Sequence, residues 1–175
     1  MFVNPQEKQI EVLVVGLGNE LLTDDGVGVH VVRMLQQEPP IEGVVMMEAG
    51  TAILHAQHLL EQSAYVIAVD AVRAGDEPGA IYRFDVDQAE LNRPASLHDL
   101  GIVGVLQLMS EQDRPRTVIL GVEPETIDYG MELSPVVRAA AGRAVKIVLE
   151  MIDEILSRRA GCRVGVVIHD VEIAG

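Results

Sequence analysis

The chain has 175 residues, 49% of them apolar but only 3% aromatic, and a formal net charge of −14. This suits one domain whose core is Val, Leu, Ile, Ala and Met, and it excludes nucleic acid and anionic membranes as partners while admitting a cation or a basic peptide. The single cysteine, Cys162, excludes an intramolecular disulfide and a Cys-rich zinc centre. MFVNPQEKQI is too polar for a signal peptide and no apolar run is long enough to span a bilayer, so a cytoplasmic protein is expected.

Val12–Val15 is a continuous apolar run, the pattern of a strand buried on both faces. A helix is predicted from about Asp25 to Gln36, with Val27, Val31, Met34 and Leu35 on its apolar face and Pro39-Pro40 beyond its end. Val44–Met47 is the second strand, followed by a turn at Ala49-Gly50-Thr51. Ile53, Ala56, Leu59 and Leu60 mark the second helix. Tyr65–Val69 is the third strand, closed by Asp70. A turn-rich loop from Gly75 to Gly79 leads to a fourth strand at Ala80–Asp85 and a connection from Asp87 to Pro94. Ser96 reads as an N-cap with Asp99 three residues on, opening a helix that carries Ile102, Val105, Leu106 and Met109. Thr117–Val122 is the fifth strand, ending at Glu123-Pro124. Ser134-Pro135 caps and opens a long helix with a seam of Val137, Ala141, Ala144, Val148, Met151 and Ile155. After Arg159 the pattern fails, and Gly165–Ile168 reads equally as a strand or a tail. The alternation predicts a single α/β domain with a core at about 11–158. Its fold is a mostly parallel, twisted five-stranded sheet with helices on both faces.

Strand ends of such a sheet gather at one edge, where ligands bind. There the sequence places Asp24-Asp25 after the first strand, Asp70 at the end of the third, and His98 after the fourth. Each has a plainer reading. Asp24 is a candidate N-cap, Asp25 complements a helix dipole, and a lone histidine in a first helical turn needs no function. Together, Asp25, Asp70 and His98 form a mixed oxygen–nitrogen set suited to a borderline divalent ion such as Ni²⁺ or Zn²⁺, with coordination positions left open. His55 and His58 lie one turn apart, more simply a solvated helix face. His30 has no evident partner, His169-Asp170 reads as a hydrogen-bonded pair in an unassigned tail, Cys162 lies next to Arg163 with no histidine in a thiol-protease context, and neither a G-x-S-x-G elbow nor an H-E-x-x-H helix is present.

Two rival readings stand beside this one. Gly16-Leu17-Gly18 after the first strand and Glu48 after the second resemble part of a dinucleotide or methyl-donor site. Leu21 replaces the third glycine of that fingerprint, and two carboxylates at the helix entrance repel a pyrophosphate. The other rival is a non-catalytic metal-sensing or assembly module that keeps the acidic edge for a partner protein.

Five segments in order carry a family resemblance: VLVVGLGNELLTDDGVG from Val12, EAGT at Glu48–Thr51, VIAVDA at Val66–Ala71, SLHDLG at Ser96–Gly101, and ILGVEPE at Ile119–Glu125. Over about Val12 to Met151 the chain resembles the hydrogenase maturation proteases, endopeptidases that process the large subunit of nickel–iron hydrogenases. Two departures are visible: Asp25 stands where many members have Glu, and Glu48-Ala49-Gly50-Thr51 where Asp-Gly-Gly-Thr is common. The resemblance implies removal of a C-terminal peptide from the large-subunit precursor after nickel insertion. Asp25, Asp70 and His98 would form the metal site, with Asp25 or Asp70 as catalytic groups. It implies nickel carried by the substrate, no tightly bound cofactor of the enzyme's own, and a free enzyme that is a monomer.

Overall fold

The computed structural model describes residues 8–86 and 101–163. Five strands form one sheet: β1 Ile10–Leu17, β2 Val44–Gly50, β3 Ser63–Ala71, β4 Ile81–Asp85 and β5 Arg116–Val122. Their order is β2-β1-β3-β5-β4. All pairings are parallel except that of β4 with β5. The helices are α1 Val27–Leu35, α2 Gln57–Gln62, α3 Ile102–Leu108 and α4 Pro135–Arg163. Short 3₁₀ turns at Thr23–Gly26 and Ile53–Ala56 lead into α1 and α2.

The period of two in a strand explains the layering. Val12 and Val14 of β1 face one way, into a core built with Val27, Val31 and Leu35 of α1 and Val137, Ala144 and Val148 of α4. Leu13 and Val15 face the other way, among Ile53, Ala56, Leu60, Ile102, Val105 and Leu106. The sheet is therefore a three-layer sandwich with α1 and α4 on one face and α2 and α3 on the other. The five-stranded, mostly parallel architecture matches the expectation from sequence.

Three details differ or fall elsewhere. Met34, expected on the buried face of α1, is 39% exposed. The stripe that meets the sheet runs through Val27, Val31, Val32 and Leu35, and Met34 lies on its flank. The last helix continues past Arg159 to Arg163, because a helix backbone can extend beyond the end of its apolar seam. The expected N-cap Ser96, the Asp87–Pro94 connection and Gly165–Ile168 lie outside the described residues. Among the described residues no helix is long and apolar enough to cross a membrane.

From β1 the chain passes to β2 on one side and then to β3 on the other, so the strand order reverses between β1 and β3. Gly16 pairs with Val69 in register. Leu17 and Asp70 are thus neighbours at the C-terminal edge of this switch point, the place where open α/β sheets hold ligands.

Candidate metal and catalytic site at the switch point

Glycine lets the loop after β1 fold back onto the sheet. Gly18 has φ +106°, and a Cβ there would lie 1.8 Å from the Asp25 carbonyl oxygen. A Cβ on Gly28 would lie 2.0 Å from the Val69 carbonyl oxygen. Gly16 is as tightly placed, with a Cβ 2.3 Å from the Gly28 carbonyl oxygen, so backbone fills the space beside Gly16 and Gly18, the glycines that suggested a dinucleotide fingerprint. They set α1 directly on the ends of β1 and β3.

This packing carries Asp25 to the end of β3. One Asp25 oxygen, Oδ2, accepts the Asn19 N–H at 2.8 Å, and the Asn19 side chain in turn accepts the Leu21 N–H at 3.0 Å. Asp70 is half-buried, and its Oδ1 accepts the Ala71 N–H at 2.9 Å. Burial pushes the Asp70 carboxyl up to about 6. The Ala71 N–H opposes this, and the neighbouring charge of Asp25 adds to it. The two carboxylates thus lie within electrostatic reach of one another and repel. A divalent cation between such groups relieves that repulsion.

The structure brings Asp25 and Asp70 together; the third expected ligand, His98, lies outside the described residues. Among the described residues no group of three or more His, Cys, Asp or Glu is arranged to hold a metal ion. The described chain therefore supplies a carboxylate pair that needs further donors. His55 and His58 are exposed. His30 Nε2 is buried without a hydrogen-bond partner, against the small cleft it lines with Met34, Glu132, Leu133 and Arg138.

Asp24 has a different task from its neighbour. It is fully buried. Its Oδ2 accepts the N–H groups of Glu125 and Thr126, both at 3.0 Å, and the Ser134 hydroxyl at 2.9 Å. Its Oδ1 accepts the Ser134 N–H at 2.7 Å. The 3₁₀ turn has no side-chain cap, so Asp24 does not act as an N-cap. It joins the β1 loop to the segment between β5 and α4. Ser134 also accepts the Val137 N–H at 3.4 Å, as an N-cap should.

Two more anchors surround the site. Arg33 of α1 donates to Glu20 at 2.8 Å and to Glu48 at 2.6 Å, tying the β1 loop to β2. Glu48 is thereby engaged in an ion pair, where the nucleotide reading had it grip a ribose. Glu123 accepts the N–H groups of Ala74 at 2.8 Å and Gly75 at 3.3 Å and the Tyr82 hydroxyl at 3.1 Å. Burial works to raise its pKa, but these donors outweigh burial and hold the carboxyl below its usual range. Glu123 so fixes the loop that follows Asp70. The sequence signal for these anchors was their place in the EAGT and ILGVEPE segments, which does not say what they bind.

A family model described as hydrogenase maturation protease matches residues 29–151. The coenzyme F420 hydrogenase subunit delta of Methanothermobacter thermautotrophicus is 33% identical over 152 residues, covering 81% of this chain and 94% of that protein. The hydrogenase 2 maturation protease of Escherichia coli is 30% identical over 151 residues, covering 83% and 92%. The solved structure of the E. coli hydrogenase maturating endopeptidase HybD superposes with a TM-score of 0.72 at 27% identity, covering 83% of this chain and 93% of that one.

Proposed function

The chain belongs to the hydrogenase maturation proteases and is a peptidase, and on that premise we propose that it removes a C-terminal peptide from the large-subunit precursor of a nickel–iron hydrogenase, with the nickel already inserted there as its recognition signal. The observation that carries this reading is the convergence of Asp25 and Asp70 at the β1–β3 switch point, close enough for one charge to raise the pKa of the other. Two carboxylates and one imidazole leave coordination positions open, which suits an ion brought by a partner. The enzyme has no cofactor of its own in this reading; when free it is a cytoplasmic monomer.

In the proposed mechanism Asp25, Asp70 and His98 complete the coordination of the substrate's nickel. This places the precursor tail across the strand ends and holds the scissile bond in position. Water adds to the scissile carbonyl, which the ion polarises. In the same step Asp70 leaves the ion to take the water proton and return it to the departing amine. Asp25 holds the ion, and its orientation is fixed by the Asn19 N–H.

The test is to incubate the protein with nickel-loaded and nickel-free precursor and weigh the products. Loss of a C-terminal peptide from the loaded form alone is expected. Equal cleavage of both forms would remove nickel from the recognition step, and cleavage of neither would overturn the reading. His98→Ala should stay folded and process nothing; normal processing by that variant would remove His98 from the site.

A further inference from the structure

Three large apolar side chains stand in water beside the site. Leu21 is 59% exposed, Tyr129 91% and Met131 66%. They belong to two segments joined by an isolated parallel bridge between Leu22 and Gly130. The Gly130 N–H donates to the Leu21 carbonyl at 3.0 Å, and the Thr23 N–H donates to the Gly130 carbonyl at 2.7 Å. The Thr23 hydroxyl donates to the Thr126 carbonyl at 2.9 Å and accepts the Asp128 N–H at 3.1 Å. Below them sits the fully buried Asp24 with its four hydrogen bonds. This bracing holds the apolar groups outward, where they cost solvation.

From these observations we propose that Leu21, Tyr129 and Met131 form a rigid apolar platform on which the hydrogenase large-subunit precursor docks, setting affinity without touching the reacting atoms. The proposal rests on the substrate assignment above. Chain continuity supports the occupant: Leu21 immediately precedes the turn in which the Asp25 N–H donates to the Leu22 carbonyl at 3.1 Å, so the platform adjoins the candidate ligand. Area supports it too. Three side chains, even as exposed as these, present less than the roughly 800 Å² per partner of a stable complex. That suits a partner released after each turnover better than a permanent second copy of this chain. The platform residues carry no charge, so they can meet a protein surface despite the net charge of −14.

The test uses the full-length protein carrying Leu21→Ala, Tyr129→Ala and Met131→Ala together, with Tyr129→Ala alone as the milder variant should the triple one fold poorly. Processing of nickel-loaded precursor is followed over a range of concentrations. Equilibrium binding to nickel-free precursor and sedimentation of the free enzyme are measured beside it. A tenfold or greater rise in KM with kcat within twofold, and a parallel loss of binding, is the expected result. Unchanged KM and binding, with the wild type cleaving normally, would overturn the platform and leave the protease assignment standing. Binding that depends on the platform, with no cleavage by the wild type, would keep the platform and overturn the protease assignment. Self-association of the wild type lost in the variant would assign the surface to a second copy instead. A wild type that neither binds nor cleaves precursor would overturn both.

Discussion

Asp70 carries a charge that burial makes destabilising. Its carboxyl titrates near 6 in the folded protein against 3.8 for an unperturbed group. Folding therefore favours the protonated form, and stability falls as pH rises from about 4 through 6, after which the deficit is complete. At about 1.4 kcal/mol per unit, this amounts to roughly 2–3 kcal/mol at pH 8. Asp70→Asn keeps an oxygen for the Ala71 N–H and loses the charge. It should raise Tm at pH 8 by several degrees while abolishing processing. The gain should shrink as pH falls to 5, where the wild-type carboxyl is itself largely protonated. A Tm difference independent of pH, followed by differential scanning calorimetry, would remove the buried charge as its cause. The same titration predicts that Ni²⁺ affinity drops below pH 6, by up to about tenfold per unit from this group, because the ion binds only the carboxylate; calorimetric titration from pH 5 to 8 measures it.

The elements around Asp70 were visible in sequence to different degrees. Apolar runs placed the parallel strands, because burial on both faces leaves an unmistakable run such as Val12–Val15, while alternation placed β4 and helical seams the helices. That Asp25 and Asp70 share one edge of the sheet was legible because strand ends converge in any such fold. Adjacent Asp24 and Asp25 look equivalent in sequence and are not: the packing of Thr126 and Ser134, more than 100 residues on, decides which carboxylate turns inward. No local pattern encodes that. Asp24→Ala strands three backbone N–H groups and a hydroxyl, and should cost about 3 kcal/mol or more in urea unfolding. The glycines separate in the same way. Gly28→Ala puts a Cβ into two backbone oxygens, at 2.0 and 2.5 Å, and should leave no foldable protein, whereas Gly142→Ala meets nothing within 4 Å and should stabilise α4 by about 0.5–1 kcal/mol. Equal effects of the two substitutions on Tm would show that the tight seat of α1 on the sheet does not hold the fold.

At the scale of the whole molecule, the acidic surface and the uncharged platform divide the work of recognising a partner. A net charge of −14 sets a repulsive field for any acidic protein that approaches. The field reaches about 8 Å at 0.15 M salt and about 3 Å at 1 M. Short-range apolar contact at Leu21, Tyr129 and Met131 operates inside that distance and weakens little with salt. Charge should therefore govern how fast a precursor arrives, and the platform how long it stays. Two precursors that differ only in the charge of the cleaved tail, one basic and one acidic, separate these terms. At low salt the basic tail should be processed severalfold faster in kcat/KM, and the two rates should converge towards 1 M salt. A rate ratio that stays constant across the salt series would locate tail selection in direct contacts at Asp25 and Asp70, with the surrounding field contributing nothing.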